Sequence, residues 1–433
     1  MCLTKKKTIA VKTIGCKLNF AETSTIVRDF VRSGFNRVEF NQPADVYIIN
    51  TCTVTANADK DCRKAIRQAQ RNNPVAFMAV VGCYAQLNYQ QVSKMNGVGV
   101  VLGNDEKYKL FKYYNKWLQN EEIDYHGNLD NFHPAHSADE RTRVFLKIQD
   151  GCDYECAYCG IPLARGKSRS GNIKNISLSA RKVAKTNAKE IVLTGVNSGD
   201  FGRGNDETFF DLIQTLDNLD GIERIRISSI EPNLLTAEMI EFVASSNLFV
   251  PHFHIPLQSG SNKILCDMKR RYRRELFAKK VIKINSTIPD CCIGVDMIAG
   301  FPTETTADFQ QSYDFINNLE VSYLHAFSYS PRPNTEALKL KNVVTHENKI
   351  ERSKQLHELS NIKQKVFHNK FIGCEKKVLF ESHSNGILQG HTNNYIKVKC
   401  VGNPNLVNTI QPVKLLKSRS DFMEGIIESY DLK

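Results

Sequence analysis

A chain of 433 residues exceeds one ordinary domain and, at ~150 residues per domain, has room for about three. Its 41% hydrophobic and 24% charged residues are those of a globular protein, and its longest apolar run, Val75–Val81, falls far short of the ~20 residues that cross a bilayer, so no membrane span is expected. A net charge of +12 favours a polyanionic partner.

Lys5-Lys6-Lys7 is followed by apolar residues that Lys12 interrupts, with no small-residue cleavage site, so a cytoplasmic location is expected rather than secretion. In that compartment thiols stay reduced. The 13 cysteines therefore read as metal ligands or buried small side chains, not as a disulfide framework.

The fold class is α/β. Short apolar runs at Thr8–Thr13, Val46–Asn50 and Val75–Val81 alternate with helical patterns at Phe20–Arg32, Ala58–Arg71 and Lys107–Leu118, which predicts an open parallel sheet over residues 1–120. Residues 121–141 lack periodicity and read as a linker. Six strand–helix units follow over 142–369, with strands at Val144–Gln149, Glu190–Leu193, Arg224–Ser228, His252–Pro256, Gly294–Ile298 and Leu324–Tyr329. They predict a partial (β/α)6 TIM-type barrel. Helices are expected between them, at Leu178–Thr186, Phe209–Leu219 and Thr236–Ala244, and again at His346–Val366. Residues 370–433 change to short strands, Lys377–Phe380, Ile387–Gln389, Tyr395–Val398, Val407–Leu416 and Gly425–Glu428, as in a small β-barrel.

Directly after the first strand of the central series, Cys152, Cys156 and Cys159 stand at CxxxCxxC spacing. Three thiolates can each bind one iron of a 4Fe-4S cluster and leave the fourth iron open. A structural zinc site would want a fourth Cys or His, and none lies within the next forty residues. In the N-terminal segment Cys16, Cys52 and Cys83 each leave the carboxyl end of a different predicted strand, where an open α/β sheet gathers its ligands. A joint metal site competes there with three separately buried thiols. His252 and His254 share one face of a strand, and with no third ligand in sight they read as cavity lining. Two basic clusters, Arg165, Lys167 and Arg169, and Lys269 to Arg274, could cover phosphates or form charged helix faces.

The cysteine loop with Tyr158 before its third thiol resembles that of the radical S-adenosylmethionine (SAM) enzymes. Leu193-Thr194-Gly195-Val196-Asn197, Ser228-Ser229-Ile230-Glu231-Pro232, Pro256-Leu257-Gln258-Ser259-Gly260 and Gly294 to Pro302 are similar to strand ends that line the cofactor in the methylthiotransferase branch. Gly15-Cys16-Lys17-Leu18-Asn19, Asn50-Thr51-Cys52-Thr53-Val54 and Gly82-Cys83-Tyr84-Ala85-Gln86 resemble the three cysteine motifs of that branch. Phe371-Ile372-Gly373, Gly390 to Tyr395 and Val413-Lys414-Leu415 are similar to the OB-like RNA-binding TRAM module.

The resemblance implies two 4Fe-4S clusters, one on Cys152, Cys156 and Cys159 and one on Cys16, Cys52 and Cys83, with SAM as methyl donor and radical source. It implies that Tyr158, Gly195, Asn197, Ser229, Glu231, Gln258, Arg271 and Asp296 lie around the cofactor. Lys17 and Gly166 to Ser170 incline the chain to the subgroup that adds a methylthio group to N6-threonylcarbamoyladenosine at tRNA position 37. An unidentified reductant and sulfur donor are implied, and a monomer is expected. Isopentenyladenosine of tRNA, or an aspartate of a ribosomal protein, is the alternative substrate, and a metal-stabilised RNA-binding protein without catalysis is the alternative of another class. The chain departs from the family at Thr303, where glycine is common, which puts the local turn in doubt.

Overall fold

The computed structural model describes residues 6–123, 127, 129–137 and 142–427; Cys2 and the end of the expected strand Gly425–Glu428 lie outside them. The N-terminal unit is a five-stranded parallel sheet built from β1 (Thr8–Thr13), β2 (Asn36–Val38), β3 (Val46–Thr51), β4 (Phe77–Gly82) and β5 (Val100–Leu102), in the order β2-β1-β3-β4-β5. β3 and β4 are buried along their whole length. Their apolar residues alternate between two cores, Val46, Ile48, Phe77 and Ala79 on one face and Tyr47, Ile49, Met78 and Val80 on the other, as a parallel sheet covered on both faces requires. Helices Lys17–Arg32 and Ala56–Asn72 provide part of that cover, the latter started by Thr55, whose side chain accepts from the Ala58 amide. β4 begins two residues later than the apolar run suggests, because Val75 lies in an exposed turn after the second helix.

The range expected to be linker contains β6 (Ala135–His136), which pairs antiparallel with β7 (Arg143–Lys147). The first predicted strand of the central unit is divided: after β7, β8 (Gln149–Asp150) turns away to pair with β9 (Arg169–Ser170). β7 continues the main series through β10 (Glu190–Thr194) to β11 (Arg224–Ile227), all parallel. A second parallel sheet is formed by β12 (His252–Gln258), β13 (Cys292–Ala299) and β14 (Tyr323–Ser328). Single bridges, Ile225 to Phe249 and Ser229 to His254, join the two sheets at their shared edge. Helices Ile173–Ala184, Phe209–Leu216, Ala237–Ser245, Arg274–Thr287 and Thr306–Asn317 pack outside, and Thr208–Asp211 and Thr305–Asp308 form reciprocal caps at two of their starts.

Helix His346–Asn369 then leads to a closed barrel of β15 (Glu375–Ser384), β16 (Ile387–Thr392), β17 (Lys397–Val401), β18 (Ile410–Ser418) and β19 (Met423–Ile426). The molecule is thus a mixed α/β protein of parallel sheets followed by a small β-barrel. Among the described residues no helix is long and apolar enough to cross a membrane.

Candidate functional site

Cys16, Cys52 and Cys83 follow β1, β3 and β4, three neighbouring strands whose carboxyl ends are level by register: Thr13 pairs with Asn50, and Thr51 with Gly82. Gly15 and Gly82 let their loops close up. At φ of +112° and +96°, both are in backbone conformations that favour glycine. A Cβ on Gly15 would lie 2.7 Å from Cβ of Cys52, and one on Gly82 would lie 2.4 Å from Oδ1 of Asn50. The three thiols share one electrostatic environment. Burial pushes Cys16 upward against the pull of Arg165, and Cys83 adds to the rise; burial and then Cys83 push Cys52 to about 12.

Cys152, Cys156 and Cys159 line the loop beyond β8, all partly accessible. Burial, with Cys156 adding to it, pushes Cys152 and Cys159 up to about 12. Burial also raises Cys156, but Arg270 opposes it, with Nη1 3.1 Å from the sulfur. Burial thus disfavours the thiolates of Cys16, Cys52, Cys152, Cys156 and Cys159, and within each set neighbouring thiolates would repel one another. A polynuclear iron centre is the partner that such a donor set fits, because bound cations stabilise the thiolate. The other described cysteines are free; Cys62 lies beneath the first set, its thiol donating to the Cys52 carbonyl at 3.5 Å, and Cys291 and Cys292 are buried side by side.

Around the second set, the Asn197 amide donates to Oε1 of Gln149 at 3.0 Å. The Asn197 side chain is buried, and neither its nitrogen nor its oxygen has a hydrogen-bond partner. Such an orphaned amide suits a polar ligand. Gly195 packs against the same glutamine, where a Cβ would come 2.9 Å from Oε1. Ser229 sits at the bridge to β12. Gln258 ends β12 at φ +67°, beside a register shift, and a strained residue at a strand end is a common mark of a ligand site. A cavity of about 280 Å3 touches Thr53, Val54, Tyr158, Cys159, Gln258 and Asp296, so it joins the loop after Cys52 to the loop of Cys159. Asp296 accepts from His254 Nε2 at 2.9 Å and lies 3.4 Å from His325 Nδ1, and these histidines hold its carboxyl well below the usual range despite burial.

Sequence reading points to Arg271, but its guanidinium lies over the Tyr154 ring at 4.1 Å and donates to the Asp153 carbonyl. Its neighbour Arg270 enters the site instead. Besides Cys156, Arg270 pairs with Glu231 and donates to the Tyr272 hydroxyl, which in turn donates to the carbonyls of Pro256 and Leu257. Arg165 also departs from expectation. It is buried, so it is no phosphate-facing residue, and it lies at the centre of a network that the sequence did not suggest.

That network joins the two cysteine sets. Glu22 accepts from Lys107 at 2.5 Å, Lys147 at 3.0 Å and Arg165 at 3.0 and 3.1 Å. Arg165 also reaches Asp150 and Asn19, and Lys147 reaches Asp150. Asn104 accepts from Lys107 and directs its amide to the Cys83 sulfur and the Ala164 carbonyl. Asn19 lies three residues beyond Cys16, Asp150 two before Cys152, and Arg165 at the end of the helix after Cys159. Glu22, Lys107, Lys147, Asp150 and Arg165 have essentially no solvent contact, so the spacing of the two sets is fixed by paired buried charge.

Comparison with known proteins agrees with this arrangement. Residues 8–103 match the profile of the uncharacterized protein family UPF0004, and residues 146–316 that of the radical SAM superfamily. The threonylcarbamoyladenosine tRNA methylthiotransferase MtaB of Bacillus subtilis is 38% identical over 96% of each chain. The protein of that name from Aquifex aeolicus is 39% identical over 91% of this chain and 97% of its own. A tRNA-2-methylthio-N(6)-dimethylallyladenosine synthase from Hydrogenobaculum is 29% identical over 97% of this chain and 99% of its own. In fold, the radical SAM methyltransferase TsrM of Kitasatospora setae is similar with a TM-score of 0.56 at 11% identity, covering 77% of each chain. Cysteine sets at the strand ends and full-length likeness lead to one conclusion: the chain belongs to the radical SAM methylthiotransferase family that includes the MtaB enzymes.

Proposed function

We propose that the protein adds a methylthio group to C2 of N6-threonylcarbamoyladenosine at position 37 of tRNA. The observation that carries this reading is the pair of cysteine sets, linked by one buried ionic network, with a cavity that runs from Cys159 to the loop after Cys52. Cys152, Cys156 and Cys159 hold one 4Fe-4S cluster, and Cys16, Cys52 and Cys83 hold the other. When bound, the clusters and SAM supply the radical chemistry and the methylthio group, since removal of an aryl hydrogen is beyond side-chain acids and bases.

The protein's own part is placement. Tyr158, Gly195, Asn197, Ser229, Glu231, Gln258 and Asp296 surround SAM, with Arg270 bracing Glu231 and Cys156, and Arg271 capping the loop from outside. The orphaned Asn197 amide gains its partners from the cofactor. Thr53 and Val54 line the cavity from the N-terminal side and so bring the loop after Cys52 to the cofactor. In this reading residues 1–120 form the auxiliary-cluster domain, 121–141 the linker, 142–369 a partial (β/α)6 TIM-type barrel whose six strands run β7-β10-β11 and β12-β13-β14, and 370–433 a TRAM-type RNA-binding domain. A monomer working in the cytoplasm with a separate reductant and sulfur donor completes the assignment.

The greater identity to threonylcarbamoyladenosine enzymes, 32–39% against 29–30% for dimethylallyladenosine synthases, supports the choice of substrate. Mass spectrometry of tRNA nucleosides from a deletion strain tests it. Loss of 2-methylthio-N6-threonylcarbamoyladenosine is expected; its persistence at the parental level refutes the assignment. Purified protein should contain about eight irons, and joint Cys16→Ala, Cys52→Ala and Cys83→Ala about half of that. A colourless protein holding only zinc would remove the enzymatic reading altogether.

A further inference from the structure

β7, β12 and β14 begin at Arg143, His252 and Tyr323, around a recess that the C-terminal barrel meets with Tyr395. Arg226 of β11 lies 4.8 Å from the Tyr395 ring and Arg143 5.6 Å. Lys17, exposed in the first turn of helix Lys17–Arg32, belongs here too: that helix packs against β7, the strand of Arg143, and Tyr395, Arg226, Arg143 and Asp296 are the groups that act on the lysine.

The carboxylates around the recess are already taken. Glu190 is held by Arg226 at 2.7 Å, Glu381 by Arg143 at 2.9 Å and by His391 Nδ1 at 2.5 Å, and Asp296 by His254 and His325. Arg224 gives its guanidinium to the carbonyls of His391 and Lys377. What remains is positive. Lys17 makes no hydrogen bond or ion pair with any described residue. Arg226 is buried and its Nη1 has no partner; His252 is buried and its Nδ1 has none. A lysine without an ion-pair partner, beside a buried guanidinium nitrogen that lacks an acceptor, suits a bound anion.

Lys17 is the residue after Cys16, so the anion must belong to a molecule whose reacting end lies at the cysteine loops. Among the candidate substrates, threonylcarbamoyladenosine has such a group: its threonyl carboxylate hangs from N6, away from C2, whereas the dimethylallyl substituent carries no charge. We propose that Lys17 and Arg226, supported by Arg143 and His252, bind the carboxylate of the threonylcarbamoyl group and so select the substrate. This inference rests on the function proposed above.

The test uses the full-length holoenzyme and two anticodon stem-loop RNAs, one with threonylcarbamoyladenosine at position 37 and one with its threonine methyl ester. The wild type should favour the acid by about 10- to 100-fold in kcat/KM, chiefly through KM. Lys17→Met should lose about that factor on the acid and treat both RNAs alike, while Lys17→Arg, with wild-type iron content and circular dichroism, keeps the preference. A Lys17→Met enzyme that still prefers the acid as the wild type does overturns the inference and leaves the function standing. Equal weakening on both RNAs overturns it too, assigning Lys17 to a backbone phosphate. A wild type that modifies neither RNA but acts on a dimethylallyladenosine stem-loop refutes the function and the inference together.

Discussion

Glu22 shows what one buried side chain can govern. Three cations converge on its carboxylate, and removing that charge leaves Lys107, Lys147 and Arg165 facing one another with Asp150 alone to balance them. Glu22→Gln should therefore cost about 3–5 kcal/mol in denaturant unfolding, the range for breaking a buried ion pair from one side. The three cations hold the Glu22 carboxyl well below its ordinary value near 4.5, overcoming the upward push of burial. A depressed carboxyl stabilises the fold above its unfolded value and loses that contribution as pH falls through the folded one. Unfolding scans should show wild-type stability declining below about pH 4.5, with a smaller decline in Glu22→Gln.

At the scale of elements, the turns that present the thiols matter as much as the thiols. Gly82 ends β4 at φ +96° with no room for a methyl group, so Gly82→Ala displaces Cys83 relative to Asn50 and Thr51. The strain is roughly 1–2 kcal/mol before any clash. Iron analysis and circular dichroism should find the secondary structure kept and iron lost from the N-terminal set. Thr303 is the opposite case: it takes φ +76° where the family commonly has glycine, and its hydroxyl bonds Asp267, so the turn survives the substitution.

The Cys152 loop was legible in the sequence because its spacing is local, and the strands before Cys16, Cys52 and Cys83 because β1, β3 and β4 carry apolar runs. β2 and β5 escaped notice because three residues give no periodicity, and β2 is largely exposed. The choice of Arg270 over Arg271 depends on the backbone at Lys269, φ +56°, which composition does not reveal. Arg165 was misread for a similar reason: its partner Glu22 is 143 residues away, a tertiary relation with no local trace.

For the whole molecule, the C-terminal barrel is tied to the central unit by the Arg224 guanidinium, the Arg143–Glu381 pair and the Asn408 side chain on the Asn187 carbonyl. Tyr395, which a stacking role would place outside, faces the recess between His252 and His391. Arg224→Ala leaves two carbonyls unpaired at about 1–3 kcal/mol each if water does not replace the donor. Limited proteolysis should then cut between helix His346–Asn369 and β15 faster than in the wild type.

The ionic network around Glu22 constrains how the two segments can be exchanged. Asn19, Glu22, Asn104 and Lys107 come from one half of the junction, and Lys147, Asp150 and Arg165 from the other. Neither half can change its share of this charge without a matching change across the boundary. A chimera that joins the two segments from distant relatives is therefore expected to fold stably only when it carries these seven positions as a single set.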